Sequence, residues 1–261
     1  MVVTIKNINL RNLKIRKKTL VIFLLILLSG ILFYDLAKDD FETGLFRKYE
    51  KYEIFVVRVI DGDTVETNYS DFKIIRLKGI NTPEKDQPYF EQAKLYLESL
   101  VLNKTTEIEL TGIDIYGREL GYLYLDRFFV NKALLEQGLA HLYIYEGEED
   151  IYDSELRKAE QYAREQELGI WKHSNNFACI QLVELKYNEG GQRCTNNERL
   201  ILQNICNKDI QVTIKDESAS HIYSETLTSG LNEFQYSCIW NDAGDSLFIW
   251  DSDGLVLFYR Y

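Results

Sequence analysis

Histidine is scarce in this chain. His141, His173 and His221 are the only three in 261 residues, and they stand in no metal-binding or triad spacing, so they are read as structural or exposed. Cysteine is absent from the first two thirds. Cys179, Cys194, Cys206 and Cys238 all lie beyond residue 178, with wide spacings and no Cys-x-x-Cys pair. That pattern weighs against a zinc site and favours two disulfides bracing a small domain in an oxidising setting. Of the three pairings open to four cysteines, the expectation is Cys179 with Cys194 and Cys206 with Cys238. Positive charge is in deficit too. Thirty Lys and Arg face 41 Asp and Glu, a net charge of −11, which excludes a protein that coats a polyanion through its overall field. Any polyanion must be met locally.

A hydrophobic content of 46% supports buried cores rather than disorder, and the length suits one large or two modest domains with appendages. Residues 1–18 carry Lys6, Arg11, Lys14, Arg16, Lys17 and Lys18, and an uncharged apolar run follows from Thr19 to Tyr34. Asp35, Asp39, Asp40 and Glu42 come after it. Basic before and acidic after predicts a transmembrane anchor over 19–37, with the N-terminus cytoplasmic and everything downstream outside. The competing expectation is a signal peptide whose cleavage releases a secreted protein.

After a polar linker over 38–50, Ile54 to Ile60 and Phe72 to Leu77 read as strands around the turn Asp61-Gly62-Asp63, and Pro83 ends this β region. Ala93, Leu97, Leu100 and Val101 recur at helical spacing and predict a helix over 87–102. Strands resume at 106–110 and 120–124. A short helix is predicted over 130–138, and a longer one over 153–168 starts at a capping Asp153 or Ser154 and stops at Gly169. This order spells a small barrel with appended helices.

The chemistry-bearing stretches are Ile60-Asp61-Gly62-Asp63-Thr64-Val65, Arg76, Ile80-Asn81-Thr82-Pro83-Glu84 and Asp114-Ile115-Tyr116-Gly117-Arg118. They set carboxylates, an amide and two arginines at strand ends. Forked guanidinium donors suit a phosphate whose equatorial oxygens gain charge, and oxygen ligands select a hard cation. With Val130-Asn131-Lys132-Ala133-Leu134, Gln137-Gly138-Leu139-Ala140 and Leu168-Gly169-Ile170-Trp171 in the same order, residues 51–173 resemble the thermonuclease, or staphylococcal nuclease-like, family. The resemblance implies a five-stranded OB-fold barrel with three helices and a calcium-dependent phosphodiesterase that leaves 3′-phosphorylated products. By the same resemblance, Asp63, Asn81 and the Thr82 carbonyl face Ca2+, Arg76 and Arg118 bracket the scissile phosphate, and Glu84 orients or deprotonates the attacking water. Tyr116, Tyr143 and Tyr145 match positions lining the nucleotide pocket, where bases of single-stranded or locally unpaired DNA or RNA would stack. Two departures stand out. Asn81 replaces the usual second aspartate, removing one negative charge from the metal shell, and Ile115 replaces a frequent basic contact.

From Cys179 onward the pattern changes to short β runs at 180–185, 199–204, 211–215, 233–236, 246–250 and 255–259, separated by turn residues. The closing stretch from Ile239-Trp240 to Tyr259-Arg260-Tyr261 resembles a lamin-tail domain, an immunoglobulin-like module, which implies a separate domain over 178–261 gripping an unknown ligand. The whole is thus expected to be a β-rich α+β protein: an OB-fold barrel with three helices, a β-sandwich after it and a membrane helix before it. Two other readings stand beside the nuclease. One is a noncatalytic nucleic-acid- or protein-binding module, and the other is a surface adhesin dominated by the tail.

Overall fold

Ten residues from Glu50 to Val59 form the long strand β1, the spine on which the first half of the molecule is built. The computed structural model describes residues 49–71, 73–144, 150–187, 198–218, 221–240 and 244–261. The segments expected at 1–18 and 19–37, and the linker expected at 38–50 as far as residue 48, lie outside the described residues. Among the described residues no helix is long and apolar enough to cross a membrane.

β1 pairs antiparallel with β2 (Thr64–Thr67) on one side and β5 (Thr105–Ile113) on the other. β2 pairs with β3 (Ile74–Leu77), and β5 with β6 (Glu119–Leu125). The parallel pairing of β3 with β6 closes five strands into a barrel, consistent with an OB fold. Its interior is filled by Ile54, Val56, Val65, Ile75, Leu77 and Ile108. β7 (Phe128–Phe129) extends β6. β4 (Gly79–Asn81) leaves the barrel and pairs with β8 (His141–Tyr143).

Three helices pack on this barrel. Helix α1 (Phe90–Val101) buries Ala93, Leu97 and Val101, the spacing read from sequence. It starts later than expected because Gln87 is held in a turn by Glu84, through both its backbone and its side chain, and Tyr89 is left-handed. Helix α2 is Val130–Glu136. Helix α3 (Asp153–Glu165) has Tyr152 at its N-cap with no side-chain cap, because the Asp153 carboxylate turns back to accept the Asp150 amide at 3.1 Å. It ends at Glu165 in a Schellman closure: Glu167 is left-handed and the Leu168 amide donates to the Ala163 carbonyl. The two motif glycines Gly138 and Gly169 touch backbone to backbone. A Cβ on Gly169 would sit 2.0 Å from the Gly138 carbonyl oxygen, so no side chain fits there.

In the C-terminal half, β9 (Ile180–Lys186), β10 (Glu198–Asn204) and β13 (Gly230–Tyr236) form one sheet. β11 (Ile210–Lys215), β12 (Ile222–Leu227), β14 (Ser246–Trp250) and β15 (Leu255–Arg260) form a second. The sheets share one core of Leu200, Leu202, Val212, Ile214, Leu227, Leu247 and Ile249. The expected cysteine pairing is corrected here: Cys179 bonds Cys206, so it is not the partner of Cys194, nor is Cys206 that of Cys238. Antiparallel pairing sets Ile180 opposite Asn204, which brings the flanking cysteines to a Cα separation of 5.2 Å. Cys238 is also disulfide-bonded, and Cys194 lies outside the described residues.

Residues 49–261 form one compact unit. Ala163, Ile170 and Trp171 pack with Phe248 and Leu255 in a core common to both halves, and Trp250 Nε1 donates to the Ile170 carbonyl at 3.1 Å. Arg260 reaches back to both oxygens of Glu160 and to the Leu142 carbonyl.

Candidate functional site

The corner between β3 and β4 builds the site. Gly79 has φ +80° and reverses the chain sharply after Lys78. The buried Asn131 side chain pins the corner, donating to the Lys78 carbonyl at 2.9 Å and accepting the Leu123 amide at 3.0 Å. Arg76 and Asn81 are thereby folded onto each other. Arg76 Nη2 donates to Asn81 Oδ1 at 2.8 Å, and its Nη1 donates to the Leu77 carbonyl at 3.0 Å and pairs with Asp63 Oδ1 at 3.0 Å.

Asp63 is held from the other side as well. Its Oδ2 accepts from the Thr82 amide and the Thr82 hydroxyl, each at 2.8 Å, while Thr64 donates to Oδ1. Asp61 caps this turn by accepting the Asp63 amide, and burial followed by repulsion from Asp63 pushes its carboxyl up to about 6. Glu84 is half-buried, and its carboxylate makes no hydrogen bond or ion pair among the described residues. Burial first, and Asp63 second, raise its pKa, against the pull of Arg76, Lys215 and Arg118. Both arginines thus act electrostatically on the Glu84 carboxylate.

Arg118 is positioned by a turn. Asp114 accepts the Tyr116 and Arg118 amides through Oδ1 and Arg118 Nε through Oδ2 at 2.7 Å. Burial opposes ionisation of Asp114, yet these donors hold its carboxyl below the usual range. With Nε engaged, the terminal nitrogens of Arg118 stay available for a ligand. Tyr116 is 78% exposed on the same turn, with the Arg118 guanidinium 5.4 Å from its ring centre. Tyr143 is half-buried on β8, opposite Gly79. Tyr145 lies outside the described residues.

Three features were invisible in the sequence. His141 pairs with Asn81 across β4 and β8, and burial first, then Lys215, depress its pKa well below the ordinary value. As a neutral ring it donates from Nδ1 to the Leu142 carbonyl, leaving Nε2 3.5 Å from Asn81 Nδ2. The Asn81 amide nitrogen also donates to the Glu217 carbonyl at 2.9 Å. Lys215, at the end of β11, acts electrostatically on both Glu84 and His141. The contacts of Asn81 with His141 and with Glu217 leave no local periodic signal, because each joins residues 60 or more positions apart.

The donor set suits a hard divalent cation. Asp63 raises the proton affinity of both Asp61 and Glu84, a repulsion that a bound cation relieves, and every donor is oxygen. Among the described residues no three His, Cys, Asp or Glu side chains converge at ligating distance. An ion here would rely on few protein ligands and on water.

Residues 74–173 match the family described as staphylococcal nuclease homologues. The chain is 32% identical over 126 residues to protein ParB of Escherichia coli, covering 44% of this chain and 70% of that protein. It is 30% identical over 130 residues to the micrococcal nuclease of Shigella flexneri, covering 46% and 74% respectively. It is 37% identical over 122 residues to an uncharacterized endonuclease of Escherichia coli O157:H7, covering 46% and 77%.

Proposed function

Since the chain belongs to the staphylococcal nuclease family, we propose that it is a calcium-dependent nuclease hydrolysing phosphodiester bonds of single-stranded or locally unpaired DNA and RNA to 3′-phosphorylated products. The observation that carries this reading is the pair of guanidinium groups, Arg76 and Arg118, acting electrostatically on the Glu84 carboxylate, which has no hydrogen-bond or ion-pair partner among the described residues. Arg76 sits in a buried frame formed by Asp63, Asn81 and the Leu77 carbonyl, so its planar fork is pre-organised rather than mobile.

Glu84 takes a proton from water as the water oxygen bonds to phosphorus, and its raised pKa brings it closer to a useful base at neutral pH. Arg76 and Arg118 hold the equatorial oxygens, and Arg118 assists the 5′ oxygen as its bond to phosphorus breaks. Asp63, with the Asn81 side-chain oxygen and the Thr82 carbonyl, would hold calcium, which supplies Lewis-acid polarisation of a phosphoryl oxygen. Tyr116, Tyr143 and Tyr145 offer faces for bases. The basic 1–18 and apolar 19–37 segments support a single-pass anchor with this site outside the cell. The lamin-tail resemblance of 178–261 supports a role in binding at the surface.

The test is incubation of residues 49–261 with single-stranded DNA in millimolar calcium or in chelator, beside Glu84→Gln and Arg76→Ala. Calcium-dependent cleavage lost in both variants is the expected result. No cleavage by the unmodified protein would favour the noncatalytic binding module. Retention of Arg76, Glu84 and Arg118 together counts against that alternative.

A further inference from the structure

Lys215 is the last residue of β11 and comes from the half of the molecule outside the family match, yet it terminates at the site. It pairs in register with Phe248, whose ring lies 5.0 Å from that of His141, and His141 pairs with Asn81. Two residues further along, the Glu217 carbonyl accepts from the Asn81 side chain. The end of this strand is thus stitched to the corner that holds Arg76.

The side chain itself is anomalous. Lys215 is only 5% exposed, and among the described residues its ammonium has no hydrogen bond and no carboxylate at ion-pair distance. A buried, unpaired ammonium is costly unless something of opposite charge visits it. Burial lowers its pKa, while Asp216, Glu84, Glu217 and Asp245 act on it in the opposite direction. Together with Arg76 and Arg118 it acts on the Glu84 carboxylate in the sense that favours its charged form, against Asp63. Residues 51–173 carry fifteen Lys and Arg against twenty-four Asp and Glu, so retention of a polyanion has to rest on a few placed cations.

Resting on the nuclease reading, we propose that Lys215 is a third phosphate-binding cation of the site, donated by the C-terminal β-domain to a backbone phosphate of the bound single strand. That domain then completes the substrate site as well as following it in the chain. A compact ammonium suits the role, since it meets one phosphate oxygen as a point charge while the forks of Arg76 and Arg118 grip the reacting group.

The experiment measures binding of a fluorescent oligothymidylate to the full chain in chelator, across a range of NaCl, for the unmodified protein, Lys215→Gln, Lys215→Met, Lys215→Arg and the exposed control Lys208→Gln. Cleavage in calcium and thermal midpoints are recorded in parallel. Lys215→Gln and Lys215→Met should weaken binding about tenfold at low salt and flatten the slope of log K against log salt by roughly 0.7, the value for one single-strand phosphate contact. Both should raise the thermal midpoint, because a desolvated charge is removed. Lys215→Arg should keep the slope, and Lys208→Gln should change nothing. A purely structural lysine would lower the midpoint and leave the slope alone, which overturns the proposal. Unaltered slopes beside normal wild-type cleavage also overturn it while leaving the nuclease reading intact. A wild-type chain that neither binds nor cleaves the strand sinks both.

Discussion

Asn81 Nδ2 donates to the Glu217 carbonyl at 2.9 Å, a bond spanning 136 positions of sequence that ties the candidate metal corner to the C-terminal half. The same amide accepts Arg76 Nη2 through its oxygen. Its neutrality therefore does two things at once. It spares the site one negative charge, and it supplies a donor that aspartate lacks.

Asn81→Asp separates these effects. The calcium concentration for half-maximal cleavage should fall about tenfold, equivalent to about 1.4 kcal/mol, while a carboxylate facing the Glu217 carbonyl should destabilise the fold by about 1–3 kcal/mol. A calcium titration and a denaturant midpoint read the two. An unchanged calcium requirement removes Asn81 from the ligand set.

Glu84→Gln should lower kcat by about 10²–10⁴-fold, the usual range for a general base, without weakening single-strand binding in chelator. Because burial and Asp63 raise the Glu84 pKa, the acidic limb of the unmodified enzyme's rate profile should lie above the ordinary glutamate range. A limb at the ordinary position would assign the base elsewhere.

Asp245 sets a pH dependence of stability. Burial, then Asp216 and Glu217, push its carboxyl up to about 7 against hydrogen bonds from the Ser246 and Glu217 amides. The folded state thus holds a proton that the unfolded chain releases near pH 4. Its contribution to stability is complete below about pH 4 and is lost as pH rises through about 7. Denaturant midpoints from pH 4 to 8 should decline less steeply in Asp245→Asn than in the unmodified chain.

Phe248 lies against His141, Trp171, Trp250 and Phe258, rings drawn from both halves. Phe248→Ala should cost about 3–5 kcal/mol. The unmodified residues 49–261 should unfold in one transition seen alike by tryptophan fluorescence and far-ultraviolet circular dichroism. Two separated transitions would show that the common core does not couple the halves.

The first half of the molecule was largely legible because its signals are local. The turn Asp61-Gly62-Asp63, the helical spacing of Ala93, Leu97 and Val101, and the strand at Glu119–Leu125 all arise within a few residues. β4 and β8 went unseen because each is three residues long and depends on the other for its hydrogen bonds. β12 was missed because its alternation is that of an exposed edge, with Glu225 and Ser224 among its residues. The cysteine pairing failed for a related reason. It follows from the antiparallel register of β9 and β10, which spacing along the chain does not encode.

Residue types and their order were enough to single out Arg76, Arg118, the acidic turn and Glu84 as candidate site residues, since each belongs to a short motif whose backbone conformation is set by its own neighbours. The burial of Lys215, the anchoring of Asn81 by Glu217 and the neutrality of His141 came from packing two halves on one core. Burial and electrostatic fields depend on what lies nearby in space, and for these residues those neighbours are distant along the chain.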